Sequence, residues 1–508
     1  MASCGALVYT IGVSSEIAAI DLGSNSFHMI IARLDQGRLT ILDRMRERVR
    51  LGGGLDADGN LTSKSMQRAL ACLERFGQRV RELPRGSVRA LGTNTLRKAK
   101  NGRSFINMAH DALGHPIEII AGREEARLIY LGVAQTTASE GRRLVVDIGG
   151  GSTECIVGEG FEILDADSLY MGCVSYSERY FRGGVIKEDA FKDAEIAAQL
   201  ELQSISRRYR NFGWTDTLGC SGTIHAIRRI VETNGWSDDG ITRKSLKRLR
   251  KHLIAAGSVA NLDLPGLAQD RKPVIAGGTA ILRAVFENLR IDDMHTSAGA
   301  LREGALYDLA GRMQHEDVRD RTIQWYCERY DVDLVRAGRV EDTAHALLDQ
   351  VTEAWAMPEA RASKLLSWAS RLHEVGAALS HTAYHKHSAY IVENSDMAGF
   401  SRDDQRILAA IIMAHRRKIK SDAFAQLSPH RTEFARQLTT LFRIALALRR
   451  GRVAQDLPPI LLRAKKDKLT LVFPADWLAV HPLTVADLEQ EAQYLASIGY
   501  VLAFKEAS

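Results

Sequence analysis

The sequence has no cysteine pair at CxxC spacing: Cys4, Cys72, Cys155, Cys173, Cys220 and Cys327 are scattered over 508 residues. A zinc ribbon or disulfide framework is thereby excluded as the organising element, and a reducing compartment is expected. Long hydrophobic runs are also missing. None approaches the ~20 residues that span a bilayer, and the mild apolar patch Gly5 to Val13 lacks the preceding Lys or Arg of a signal peptide. A cytoplasmic protein without a transmembrane segment is expected, with at most peripheral membrane association. There is no low-complexity tract. With 45% hydrophobic and 26% charged residues the composition is that of an ordinary folded protein, not of a disordered or collagenous one.

A chain of 508 residues exceeds one hydrophobic core, and at roughly 100 to 200 residues per domain it predicts two to four. The formal net charge is only +6, but Ser401 to Thr470 holds 16 Lys or Arg against 6 Asp or Glu, leaving the remainder at about −4. Within that stretch Arg416, Arg417, Lys418 and Lys420 are a candidate polyanion-attracting patch, through long-range field and counterion release. A solvated helix face is the plainer reading of the same charges.

An internal echo organises the first half. Ile17 to Ala32 (IAAIDLGSNSFHMIIA) and Leu144 to Gly158 (LVVDIGGGSTECIVG) each read as an apolar strand ending in an aspartate, Asp21 or Asp147, then a turn of small residues and a second apolar strand. Continuous apolar strands imply burial on both faces, as in the central sheet of an α/β domain. Met66, Leu70, Leu73 and Val80 fall near helical spacing. Val88 to Leu91, Ile117 to Ile120 and Pro273 to Ala276 read as further strands before helices. After about Arg312 strands nearly vanish until Leu469 to Phe473, so a domain seam is expected near residues 311 to 316 and a weaker one around Arg449 to Pro459.

The turns carry the candidate chemistry. Gly149, Gly150 and Gly151 let backbone amides approach a phosphate without a Cβ in the way, and Ser152 and Thr153 add hydroxyl donors. Three consecutive glycines exceed what a tight hairpin needs. Ser24 and Asn25 offer similar donors from the other half. Asp21 and Asp147 cannot bind phosphate directly but can hold a Mg²⁺ that does, with Glu154 as a second candidate ligand. In GREEARLIY (Gly122 to Tyr130) Glu124 and Glu125 suit a helix N-terminus. Consecutive helical residues point about 100° apart, so only one can face a cleft and orient a water as general base. Arg97, in GTNTLRKA, can fork onto phosphate oxygens. The turns GCSGTIHA (Gly219 to Ala226) and AGGTAIL (Ala276 to Leu282) each open a helix whose amides suit an anion or a nucleotide, or simply cap it.

The helical part holds LHEVG (Leu372 to Gly376) with His381, His385, His387 and His415. It is similar to the HD superfamily of metal-dependent phosphohydrolases, in which an Asp stands where this chain has Glu374. The longer side chain would displace a ligand by about 1 Å against a tolerance of ~0.2 Å, so a relic fold without an active metal site is expected there.

Taken as a set, DLGSNSFHMIIA, GTNTLR, IEIIAGREEARLIY, DIGGGSTE, MGCVS, GCSGTI and GALREG (Gly299 to Gly304) resemble the exopolyphosphatase and guanosine pentaphosphate phosphohydrolase family, with closest likeness to the long bacterial exopolyphosphatases. The resemblance covers essentially the whole chain. It implies an α/β fold, a duplicated actin-like (sugar kinase/Hsp70-like) ATPase fold, followed by an all-α HD-like domain and a small α+β C-terminal domain. The expected domains are residues 1–139, 140–312, 313–450 and 451–508. The implied activity is Mg²⁺-dependent, K⁺-stimulated, processive hydrolysis of terminal phosphate from inorganic polyphosphate. The same-class alternative is conversion of guanosine pentaphosphate to the tetraphosphate, the long basic C-terminal region favouring polyphosphate. By motif, Glu125 matches the catalytic glutamate, Asp147 and Glu154 the metal positions, and Ser24, Asn25, Arg97 and Gly149 to Ser152 the phosphate site. A homodimer is implied and a nucleic-acid partner is not. An actin-like kinase or a catalytically dead guanosine-phosphate sensor are readings from other classes, and the intact Glu125, Asp147 and Glu154 set weighs against the sensor.

Overall fold

The computed structural model describes residues 15–35, 38–137, 141–313, 317–451 and 457–507. Cys4, the patch Gly5 to Val13, positions 314–316 of the seam and Arg452 lie outside these. The chain forms two compact units, Met1–Val318 and Arg319–Ser508.

The first unit is built on two sheets. Strands β1 (Ser15–Leu22), β2 (Ser26–Asp35), β3 (Arg38–Arg48), β4 (Val88–Gly92) and β5 (Ile117–Ile119) lie in the order β3-β2-β1-β4-β5. Strands β6 (Arg142–Ile148), β7 (Thr153–Glu159), β8 (Glu162–Leu169), β9 (Asp216–Gly219), β10 (Ile241–Thr242) and β11 (Asp293–Thr296) give β10-β11-β9-β6-β7-β8. In each sheet a three-stranded antiparallel meander leads, through helical crossovers, into parallel neighbours: β1 pairs in parallel with β4, and β6 with β9. Apart from the added β10, the second sheet repeats the first, and the sequence echo is a repeat of topology.

The helices of this unit are α1 (Ser63–Val80), α2 (Asn94–Lys98), α3 (Gly102–Leu113), α4 (Gly122–Thr136), α5 (Cys173–Tyr180), α6 (Glu188–Phe212), α7 (Gly222–Thr233), α8 (Arg243–Ala256), α9 (Ile275–Leu289) and α10 (Leu301–Met313). Side chains alternate across a strand, and here that alternation sorts them into layers. Ala18 and Ile20 of β1 pack with α1 and α3, whereas Ile17 and Ala19 join Val145 and Ile156 of the other sheet and Leu128, Ile129, Leu301 and Ala305 of α4 and α10. The core shared by both sheets is therefore sealed by α4 and α10. These two helices approach so closely that a Cβ on Gly304 would collide with the Leu128 carbonyl oxygen.

Pro273 to Ala276 is not a strand. It is a 3-10 turn, Lys272–Val274, leading into α9. Twelve of the fifteen residues of α9 are buried, and a helix buried all round shows no 3.6-residue period by which to tell it from a buried strand. Strands β3 and β8 have no counterpart in the sequence reading, because their charged alternation hides the apolar signal.

The second unit carries seven helices among its described residues, α11 (Val318–Arg329, which begins at the boundary), α12 (Leu334–Asp349), α13 (Glu359–Leu372), α14 (Tyr384–Asn394), α15 (Arg402–Ala414), α16 (Pro429–Leu448) and α17 (Pro482–Ala496). A three-stranded sheet, β12 (Leu461–Lys465), β13 (Lys468–Phe473) and β14 (Val501–Glu506), packs in the same core. Glu374 is paired with Arg336 at 2.7 Å, and His373, His385 and His415 are buried and grouped near Phe442. No described helix is long and apolar enough to cross a membrane.

Candidate active site

A crevice in the first unit is lined from both sheets. From the β1–β2 turn come Asp21, Gly23, Ser24, Asn25 and Ser26, and from the β6–β7 turn Asp147 and Gly149 to Ser152. Its cavity volume is about 170 Å³. The two turns meet: a Cβ on Gly150 would lie 2.8 Å from the Ser24 Cβ. Glycine at that position is thus required by close approach as well as by access to its amide. A Cβ on Gly151 would likewise press on the Asn94 side-chain oxygen.

Strand alternation aims the carboxylates. Asp21 continues the Ile17, Ala19 row of β1 and Asp147 the Val145 row of β6, so both point into the layer between the sheets, where α4 brings Glu125. Glu154 stands opposite Asp147 in the β6–β7 register and accepts a hydrogen bond from Ser168 Oγ at 2.7 Å. It sits behind the crevice, and Arg97 is likewise outside the lining. Arg97 instead donates from Nη1 to Glu125 Oε2 and to the Ile120 carbonyl, both at 2.9 Å.

The choice between the paired glutamates is decided by the helix seat. Glu124 turns into a buried ion network, bonding Arg127 at 2.7 Å and lying 3.5 Å from Arg89, while both arginines also reach Asp308. Glu125 faces the crevice.

Burial raises the pKa of Asp21, Asp147, Glu154 and Glu125. Asp21 is pushed up to about 7 by burial and by the Glu125 charge, and Asp147 up to about 8 by burial, with Glu125 and Asp21 adding and the Cys220 thiol hydrogen bond opposing. Glu154 is raised well above its ordinary value by burial and by Glu125 and Asp147. Burial also raises Glu125, and Arg97 counteracts it by charge and hydrogen bond. Arg271 and Arg302 line the same crevice. Arg302 Nη1 lies 2.7 Å from His28 Nδ1, and burial together with the charges of Arg302, Arg46 and Arg271 pushes His28 down to about 3.

The site therefore couples an amide-rich cradle to a carboxylate cluster with arginines alongside, an arrangement suited to a phosphoanhydride. The Ppx/GppA phosphatase family model matches residues 30–313, and its domain III model matches residues 318–492. The chain belongs to the Ppx/GppA phosphatase family. It is 40% identical over 485 residues to the guanosine-5'-triphosphate,3'-diphosphate pyrophosphatase of Pseudoalteromonas translucida, covering 96% of this chain and 97% of that one. To the protein of the same description from Vibrio cholerae it is 41% identical over 497 residues, covering 97% and 99%. Among solved structures, an exopolyphosphatase from Cytophaga hutchinsonii superposes with a TM-score of 0.54 at 26% identity, over 59% of this chain and 98% of that one. As a Ppx/GppA phosphatase this protein is a phosphoanhydride hydrolase, and its first unit has the mixed α/β architecture of the actin-like ATPase fold.

In this Ppx/GppA phosphatase the crevice gathers Ser24, Asn25, Glu125, Asp147, Gly149, Gly150, Gly151 and Ser152 from the sequence-level set. Ser221, Gly222 and Thr223 of GCSGTI join them, whereas no residue of AGGTAIL does. Arg416, Arg417, Lys418 and Lys420 belong to the second unit, after α15; Arg417, Lys418 and Lys420 are exposed, and the Arg416 guanidinium stacks 4.8 Å over Tyr384. His28, Thr93, Asn94, Arg271 and Arg302 line the crevice although the sequence reading assigned them no role. Arg302 lay within the quoted GALREG, and Asn94 within GTNTLR. Arg271 had no local signal.

Proposed function

We propose that this phosphatase removes the 5′-terminal phosphate of guanosine pentaphosphate, giving the tetraphosphate. The observation that carries the reaction type is Glu125 opening, beside Asp21 and Asp147, onto a crevice walled by the glycine turn. The substrate choice rests on full-length relatives of about 40% identity that bear that pyrophosphatase description. Terminal hydrolysis of inorganic polyphosphate is the second reading, favoured by the exopolyphosphatase among the structural neighbours.

In this reading the amides of Gly149 to Gly151 and the hydroxyls of Ser24 and Ser152 hold the terminal phosphoryl group, Asn25 and Asn94 adding polar contacts. Glu125, held by Arg97, takes a proton from water as the water oxygen bonds to phosphorus. The bridging P–O bond breaks, its electron pair goes with the bridging oxygen onto the departing guanosine tetraphosphate, and the hydrated phosphoryl group is released as orthophosphate. No nucleophilic side chain is needed, since phosphoryl transfer asks chiefly for alignment and charge neutralisation.

The carboxylates fit a divalent cation. Asp21 Oδ1 is buried without a hydrogen-bond partner, and the Glu125 charge raises the pKa of Asp21, Asp147 and Glu154. Mg²⁺ keeps waters and substrate oxygens in its shell and asks for only one or two protein carboxylates. Asp147 would hold it, with Asp21 beside it and Glu154 behind. When bound, the cation supplies neutralisation of phosphate charge. From the family resemblance we also take residues 313–450 as an HD-like helical domain and 451–508 as a small C-terminal domain, and the protein as a homodimer.

The test is phosphate release from guanosine pentaphosphate and from long polyphosphate, each with Mg²⁺ or EDTA and with or without K⁺, by wild type and Glu125→Ala. A higher kcat/KM on the nucleotide, lost by at least ~100-fold in the variant, is expected. Near-normal turnover by the variant would remove Glu125 from the role, and a higher kcat/KM on polyphosphate would reverse the substrate order.

A further inference from the structure

The two strand-end aspartates of the repeated hairpins have neighbours that can be matched position by position. In the second sheet β6 and β9 run parallel, with Val145 opposite Leu218 and Val146 opposite Gly219, so the next pair along is Asp147 and Cys220. In the first sheet β1 and β4 run parallel, with Ala19 opposite Arg89 and Ile20 opposite Ala90, and Asp21 stands opposite Leu91. Residues opposite one another in a ladder share a face of the sheet. Cys220 and Leu91 therefore hold equivalent places beside the two aspartates, and both pack in the core between the sheets.

The two neighbours differ in what they can donate. Cys220 Sγ lies 3.5 Å from Asp147 Oδ2 and 3.8 Å from the Val146 carbonyl oxygen. A carbonyl oxygen only accepts, and so does a carboxylate once it is ionised to hold a cation, so the thiol hydrogen points to oxygen. Leu91 has no polar hydrogen to offer, and its aspartate is the one with an oxygen, Asp21 Oδ1, buried without a hydrogen-bond partner. Cys220 is buried behind the crevice lining, whereas Asp147 belongs to it. The thiol thus reaches the carboxylate from behind and occupies one of its two oxygens. Cysteine suits this position on both counts: it packs as a small apolar group in the cluster of Val145, Ile156 and Leu218, and it still carries a weak donor.

We propose that Cys220 is a positioning residue for the divalent cation: its thiol pins Asp147 Oδ2, so that the carboxylate presents its other oxygen in one fixed orientation, while Asp21, unpinned, adjusts to the cation and its waters. This rests on the cation role given to Asp147 in the proposed function. The duplicated aspartates have diverged into a fixed one and an adjustable one. Groups that orient a ligating side chain in this way typically set metal affinity by about 10- to 100-fold.

The experiment follows Mn²⁺ binding by electron paramagnetic resonance, without substrate, in wild type, Cys220→Ala, Cys220→Val and Cys220→Ser, with Mg²⁺ as competitor and Asp147→Asn as the baseline for cations held elsewhere. Mn²⁺ shares the octahedral oxygen preference of Mg²⁺. Cys220→Ala removes the donor and Cys220→Val fills the space without one, so both should weaken the Asp147-dependent binding by about tenfold or more. Cys220→Ser keeps a donor and should recover most of the affinity. A role in packing alone predicts the reverse order, because a hydroxyl in an apolar cluster is costlier than a methyl group there. Urea unfolding in EDTA reads that packing cost separately in the same variants. Wild-type affinity in the alanine and valine variants, or a serine variant weaker than both, would overturn the assignment of Cys220. Wild type binding no more Mn²⁺ than Asp147→Asn would instead remove the cation site of the proposed function, and the role of Cys220 with it.

Discussion

Asp147→Asn should make the metal-free protein more stable, by an amount that grows with pH. Burial raises the Asp147 carboxyl from its ordinary 3.8 to about 8. Between those values the unfolded chain has released a proton that the folded chain retains, so wild-type stability falls as pH rises. At about 1.4 kcal/mol per unit the full span is worth up to about 6 kcal/mol. Glu125 and Asp21 share in the interaction, so about half of that, roughly 3 kcal/mol, is expected for one site in a coupled cluster. Asparagine keeps the shape and has no proton to lose. Subtracting wild type from variant also cancels the buried histidines His28, His385 and His415, whose lowered pKa values give the opposite slope in both proteins. The assay is urea unfolding in EDTA at pH 5, 6.5 and 8.5. The stability difference should rise across the series and shrink when Mg²⁺ is added, since a ligand of the folded wild type at 100 times its Kd stabilises by about 2.7 kcal/mol. A difference that is flat or falls with pH would refute the argument that the aspartate is held at an electrostatic cost.

Glu124→Gln and Glu125→Gln should separate stability from catalysis. The first breaks the buried network with Arg89 and Arg127 and should cost about 3 to 5 kcal/mol in chemical denaturation with kcat nearly kept; the second should lower kcat by about 100-fold or more without that loss. Arg97→Ala removes the charge that lowers the Glu125 pKa, so the acidic limb of the kcat–pH profile should move to higher pH and Arg97→Lys should return it part of the way. A raised KM with the limb unmoved would instead place Arg97 on the substrate. Gly304→Ala drives a methyl group into the Leu128 carbonyl and should destabilise by about 1 to 3 kcal/mol or more, read from the unfolding midpoint.

The two hairpins were legible because each strand is apolar on both faces and ends in an aspartate followed by small residues. A pattern that dense has few other folds. Strands whose exposed face is charged, β3 above all, gave no such signal, and the all-round apolar start of α9 imitated one. The acidic pair at the head of α4 posed a question that the sequence framed but did not answer. Successive helical residues diverge by about 100°, and only the docking of α4 against Arg89 and Asp308, bridged by its own Arg127, turns Glu124 inward and leaves Glu125 to the crevice.

By itself, then, the sequence determined the repeated strand–turn–strand plan and the chemistry of its turns, since period-two alternation and glycine sterics are properties of neighbouring residues. What only the tertiary structure decided is which groups share a dielectric and a charge. Arg271 joins the Ser24 turn through the fold, and Arg97 meets Glu125 across 28 positions of the chain. Asp21 and Asp147 acquire their raised pKa values because folding removes water from both at once, and burial is a property of the assembled layers, not of any local segment.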